Sequence, residues 1–254
     1  MVIRSLLPSC TLYNYCTLYN TVMSTPERPS HRGAGQRAGL SRELVLAAAR
    51  RVADEEGVDR LTMRRLAAEL GVLPNALYTY VPDKEALLDA LLDDLLGDVD
   101  AGDPAEGDWR DGLARVMDSS RRLLLAHPQL APVFLARPGM GPNAARLGEI
   151  TFELLRRGGV EGERAVEAFR VLLIYSLGFA AFQAPRRQRD SAARDQEVEA
   201  TFAALPEDRF PQLRRIAGAL AAPTTDRHFH IGLRWLLDGI AAEAGGGPVR
   251  PAAG

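Results

Sequence analysis

From Ser41 onward the apolar positions recur every three to four residues, and no stretch alternates with period two over a useful length. The pattern predicts an all-α chain. Ser41 can cap a first helix, "RELVLAAARRVADEEG", with Leu44, Val45, Ala48, Ala49 and Val52 on its inner face and Gly57 as its stop. Thr62 can cap a second, in which Leu66, Ala67 and Leu70 face inward and Gly71 ends the run. Pro74 opens a short third helix, because a first-turn proline leaves no N–H unpaired, and Pro82 stops it after Val81. Asp83 caps a fourth, "KEALLDALLDDLLGDV". Farther along, the period predicts helices over 109–126, 128–135, 142–157, 163–184, 211–221 and 226–243. The breaks between them carry Pro or Gly, or are polar as over 185–199.

The second and third helices, joined through Gly71, form a helix-turn-helix. Leu77 and Val81, four apart, anchor the third helix and leave Asn75, Tyr78 and Thr79 on other faces, with Tyr80 near the edge. Amide, hydroxyl and phenol groups on a short exposed helix suit base edges and phosphates. From the pattern alone, an ordinary helical hairpin whose tyrosines cover a core edge is a serious rival.

Composition narrows the classes. The formal charge of the 254-residue chain is −2, so nucleic-acid contact needs a local patch. Residues 28–42 supply one candidate, with Arg28, Arg32, Arg37 and Arg42 and no acid. This arm could lie in a minor groove or along phosphates, or it is a solubilising tail. No apolar run approaches the roughly 18 residues that a membrane-spanning helix needs, so no membrane span is expected. With four histidines and no cysteine after Cys16, no nucleophile–base pair or metal spacing points to an enzyme.

The first 22 residues differ from the rest. They hold both cysteines and the direct repeat "CTLYN" at 10–14 and 16–20. A signal peptide lacks its apolar region here, and Cys10 and Cys16 have no companion metal ligands. The composition points to Met23 as the start of translation. Residues 1–22 would then be upstream DNA read as protein, and the repeat would be a DNA repeat that the codons permit to be palindromic. A two-fold dimer reads such sequence as paired half-sites, so autoregulation is one expectation. The other is a genuine disordered extension with a chance duplication.

The stretch "LTMRRLAAELGVLPNALYTYVPDKEALLDALL" resembles the DNA-binding segment of the tetracycline-repressor (TetR) family of bacterial regulators. The resemblance rests on Gly71-Val72, Leu77-Tyr78, and Lys84 with Leu87-Leu88, without a gap from about Leu40 to Leu92. It implies that Arg64, with Thr62 and Met63 beside it, opens the second helix toward a guanine. The recognition helix would present Pro74, Asn75 and Ala76, then Tyr78, Thr79 and Tyr80. By the same resemblance Tyr78 and Tyr80 touch phosphates, Asn75 and Thr79 face bases, and Lys84 clamps a phosphate. Arg65 is expected to be a solvated surface arginine. Leu73 departs from the family, since it stands where a capping side chain is usual.

The segments "ARPGMGPNAARL", "VLLIYSLGFAAFQ" and "FHIGLRWLLDGI" resemble the regulatory domain of the tetracycline-repressor branch, less closely. They imply a ligand cavity in each subunit and a homodimer built on the last long helices, 163–184 and 226–243. The expected domains are a disordered head over 1–36, a DNA-binding domain over 37–84, a regulatory and dimerisation domain over 85–245 and a disordered tail over 246–254. Phe134, Met140, Phe152 and Tyr175, with Phe179, Phe182, Met117 and Gln183, make a candidate cavity lining, apolar and aromatic with few polar groups. Taken singly, each is as well explained as plain core.

The branch holds magnesium-chelated drug through a His and a Glu. "PVFLARP" and "LGFAAF" place Phe134 and Phe182 there instead, and neither can bind a hard cation. His228 and His230, two apart on a helix, point to different faces. The function expected is a cytoplasmic, effector-responsive repressor of operator DNA, with no cofactor and no membrane partner. The alternative is an all-helical interaction module without specific DNA binding.

Overall fold

The structure, a computed structural model, describes residues 39–137, 141–187 and 192–244. The head, its cysteines and repeat, Arg28, Arg32, Arg37, Met140 and the tail lie outside these residues. Every regular element among the described residues is an α-helix.

The N-terminal unit comprises α1 (Arg42–Glu56), α2 (Met63–Glu69), α3 (Pro74–Leu77) and the start of α4 (Lys84–Gly97). Its caps are the expected ones. Ser41 accepts from the Leu44 N–H at 3.2 Å, Thr62 from Arg65 at 3.1 Å and Asp83 from Ala86 at 2.8 Å. Gly57 closes α1 through its N–H to the Ala53 carbonyl. Gly71 turns the chain out of α2 at φ 65°, in the left-handed region that disfavours a side chain. Leu73 begins α3 with no side-chain cap. Val45, Ala49, Leu66, Leu77, Leu87 and Leu91 meet in one core. Leu44 is not part of it. It is 51% exposed, because the inner face of α1 runs through Leu46 and Ala53 instead.

A second core joins α5 (Trp109–Ala126), α7 (Pro142–Arg157), α8 (Gly162–Arg187) and α12 (Asp226–Ala244). Between α5 and α7 lies α6 (Ala131–Ala136), shorter than the expected 128–135 because His127 to Leu130 form a turn. The segment 185–199, read as a polar break, instead carries the end of α8 and the helix α9 (Ala192–Ala203). The span 211–221 divides into α10 (Pro211–Arg215) and α11 (Ala217–Ala221).

Over Gly162–Ala184, α8 is long and apolar enough to cross a membrane by length and composition, with mean hydropathy 1.6. This corrects the expectation that no segment is. The sequence hides it because Arg164, Glu167 and Arg170 interrupt the front of the run. The inner face of α8 packs on α5 and α12 and carries Ser176 and Gln183, both buried. Its other face exposes Val171, Ile174 and Phe182.

The two cores are not separate. Leu130, from the α5–α6 turn, is fully buried in the N-terminal core. Four polar links run beside it. Arg50 of α1 reaches Asp98 at 2.8 Å, and Asp54 accepts from the His127 ring at 2.9 Å. Arg137 pairs with Glu85 and Asp89 of α4. Asp93 of α4 accepts from the N–H groups of Asn143 and Ala144, both at 3.0 Å, and so caps α7 from another helix. Gly141 makes that approach possible, since a Cβ there would overlap the Asp93 carboxyl.

Candidate DNA interface and ligand pocket

Within α3 itself a single buried residue provides the anchor. Leu77 is its only buried side chain, while Leu73, Pro74, Asn75 and Tyr78 are exposed. The α-helix ends at Leu77, and Tyr78, Thr79 and Tyr80 continue in a hydrogen-bonded turn. Tyr78 and Thr79 remain exposed. Tyr80 does not project outward. Its hydroxyl donates to the Leu40 carbonyl at 2.7 Å, and its ring packs on the N-terminal core. In the free chain it therefore ties the entry to α1 onto the recognition turn.

At the start of α2, Thr62 and Arg64 are exposed and Met63 is partly buried against the core. The two adjacent arginines differ. Arg65 is held by Glu56 at 2.5 Å and Glu69 at 2.9 Å, and those bonds push its guanidinium above its usual range and hold the Glu56 carboxyl below its own. It is thus a clasp between α1 and α2 and not the solvated arginine expected. Arg64 makes no ion pair among the described residues and stays available. The Lys84 ammonium donates to the Val58 carbonyl at 3.3 Å, which leaves it further donors.

Two substitutions separate base reading from phosphate contact. Arg64→Ala should cost about 1–3 kcal/mol of specific binding and relax preference at one base pair per half-site. An equal loss on non-specific duplex would make Arg64 a phosphate contact. Lys84→Ala should weaken all sequences alike and reduce the salt slope by about one per subunit. A weaker complex with an unchanged slope would mean that Lys84 acts only through the Val58 turn.

The candidate lining residues do not form one group. Tyr175, Phe179 and Phe229 pack as a triad with ring centroids 5.3–5.7 Å apart, and the Tyr175 hydroxyl donates to the Phe229 carbonyl at 2.9 Å. Burial pushes the Tyr175 phenol up. Met117 is buried in the same core. Phe152 packs instead on Phe169, at 5.2 Å, and is 36% exposed. Phe182 lies on the outer face of α8. Phe134 packs against the N-terminal core and against Leu124, Ala131 and Ala180, and so bridges the two domains. A Phe134→Trp substitution would therefore not act on a ligand cavity alone. The larger ring presses on both cores, and operator affinity should fall without any ligand. Unchanged affinity in a titration of the ligand-free variant would place Phe134 in a cavity wall.

Gln183 leads to a feature not anticipated from the sequence. Its Oε1 accepts from Arg121 at 2.7 Å, and Arg121 is fully buried. The same guanidinium donates to Asp118 at 2.8 Å and Asp226 at 3.0 Å and lies 4.4 Å from the Phe229 ring centroid. Burial alone would raise the Asp118 carboxyl, but hydrogen bonds from Arg121 and Arg122 hold it below its ordinary value. Asp118 also lies 3.4 Å from His230 Nε2, while His228 Nδ1 accepts from the Thr225 N–H at 3.0 Å. The histidines thus have different partners. A cleft of about 360 Å³ opens beside the cluster, lined by Arg122, Leu125, Ala126 and Asp226.

The family profile described as "Bacterial regulatory proteins, tetR family" matches residues 45–91, and "Tetracyclin repressor-like, C-terminal domain" matches residues 101–244. The HTH-type transcriptional repressor DrrR1 of Streptomyces coeruleorubidus is 32% identical over 85% of this chain and 82% of its own length. The class A tetracycline repressor from transposon 1721, of Escherichia coli, is 31% identical over 80% and 91%. The crystal structure of ActR from Streptomyces coelicolor in complex with actinorhodin superposes with a TM-score of 0.74 at 32% identity, covering 82% of this chain and 99% of that one.

Proposed function

The chain belongs to the tetR family of bacterial regulatory proteins, and from that premise we propose that it is a homodimeric, effector-responsive repressor of operator DNA. The observation that carries the reading is the pairing of an exposed α2–α3 surface, with Arg64, Asn75 and Tyr78 available, to a core bolted into the regulatory domain by Leu130. Two copies are needed, because one α3 spans too few base pairs and two-fold proteins read half-sites in adjacent grooves. The exposed apolar residues of α8, Val171, Ile174 and Phe182, with Trp235 of α12, supply the surface for pairing. A repressor acts where its operator is, in the cytoplasm.

An effector that binds a dimer with mis-spaced α3 helices draws population from the DNA-bound form. The links from α4 to α7 and α6, through Asp93 and Arg137, are the mechanical route between the sites. ActR, solved with actinorhodin, supports a small organic molecule in this role. Phe134 and Phe182 offer no ligand to magnesium, so a metal-chelated tetracycline is not the effector proposed. A thermal-shift screen followed by operator titration tests the reading. A compound that raises the melting midpoint should release the DNA, and stabilising compounds that never do so would contradict it. Footprinting on the gene's own upstream DNA tests autoregulation. Protection over the segment encoding the repeat supports it, and its absence removes it.

A further inference from the structure

The buried Arg121 cluster is an odd use of charge. A guanidinium without solvent contact is costly to desolvate, and an apolar residue would fill the space at less cost. Its planar fork suits carboxylates. The side of Arg121 carrying Nε and Nη2 is committed to Asp118, itself buried among α5 residues. Nη1 is shared between Gln183 and Asp226. Asp226 is the one partner at the surface, with its side chain 52% exposed, and it lines the cleft beside Arg122. On the inner side of Arg121 the Phe229 ring lies 4.4 Å from its guanidinium, within the buried core and not in the cleft wall. Ser176, on the same face of α8 as Gln183 and two turns earlier, has a buried hydroxyl with no hydrogen-bond partner.

We infer that this cleft binds a small organic acid whose carboxylate takes the place of Asp226 on Arg121 Nη1. The inference rests on the effector-responsive reading above and names the chemical class of the effector. Asp226 acts as an internal stand-in for the ligand. Its displacement is favourable in charge, because one carboxylate replaces another beside the guanidinium and Asp226 keeps a favourable place at the N-terminus of its own helix. Arg122 at the mouth adds a second cation that attracts anions. The volume lies at the lower end for small-molecule sites. Because Asp226 begins α12, its release also frees the start of a helix whose exposed Trp235 faces outward.

The test uses the full-length protein, with 2-naphthoate and its neutral isostere 2-naphthamide as probes, in calorimetric titrations. The wild type should prefer naphthoate by about tenfold, the ratio expected when a hydrogen bond to a charged group replaces a neutral one. Asp226→Asn keeps an acceptor for Nη1 but removes the competing charge. It should bind naphthoate more tightly and leave naphthamide unchanged. Equal affinities for the two probes, no binding of either, or weaker naphthoate binding in Asp226→Asn would overturn the site. Should the variant not fold, the wild-type preference alone decides. Duplex binding without probe is measured in parallel. If it persists while naphthoate shows no preference, only the anion site fails. If it is absent, the regulatory reading fails instead.

Discussion

Replacing Arg121 with methionine should destabilise the protein by about 3–5 kcal/mol, because it removes the buried partner of the buried Asp118 carboxylate and leaves only Arg122 and His230, both largely exposed, beside it. For a chain of this size that corresponds to a melting midpoint lower by roughly 10 °C. The cost belongs to the poorly compensated Asp118 charge and not to the lost side chain. The double variant Arg121→Met with Asp118→Leu should therefore recover much of the loss, since replacing a whole buried pair by apolar groups is often neutral. The loss in the single variant should shrink as pH falls. The Asp118 carboxyl lies below its ordinary value in the folded wild type, so the cluster's contribution is present above the usual carboxylate range and lost below it. Thermal melts across pH check both statements. A single variant as stable as wild type would mean that solvent reaches Asp118 after all.

Leu77→Ala should have the largest effect on DNA binding of any change that leaves the DNA-facing surface untouched. Leu77 is fully buried, and truncating such a leucine costs about 2–5 kcal/mol. Four residues cannot hold a helix alone, so α3 depends on this anchor. Operator affinity should drop by at least about tenfold. Helical content and dimer mass should stay near wild type, because α5, α7, α8 and α12 share another core. Circular dichroism with light scattering, beside an anisotropy titration, separates the two effects. Full affinity in Leu77→Ala would show that the turn at Tyr78–Tyr80 holds the surface without α3.

Local signals made much of the fold legible. Ser41, Thr62 and Asp83 each cap the helix they precede, and the 3.6-residue period located α5 and α7 to the residue. These features depend on neighbours within a turn of the chain. What the sequence did not disclose depends on distant partners. Arg121 and Arg122 are adjacent in "SSRRLLLAH", yet one is fully buried and the other 70% exposed in its side chain. The buried one is settled by Gln183 and Asp226, 62 and 105 residues away. Only the Asp118–Arg121 spacing of three hints at it, and such pairs are common on solvated helix faces. Helix α9 escaped notice for the opposite reason. "AARDQEVEATFA" has few apolar residues to mark a face, and it forms a helix against α11. Tyr80 looked like a surface phenol because its acceptor, Leu40, lies 40 residues earlier.

Arg64 and Asn75 on base edges, with Tyr78 on phosphates, presented twice by a symmetric dimer, should select a specific duplex. Selection from a random duplex pool by the purified protein, followed by anisotropy titration of the enriched sequence at several salt concentrations, tests it most directly. The enriched sequence should be an inverted repeat with half-site centres about one helical turn apart, bound with an affinity that falls steeply with salt. An unenriched pool, or binding that ignores both sequence and salt, would contradict it and leave the helical bundle as an interaction module.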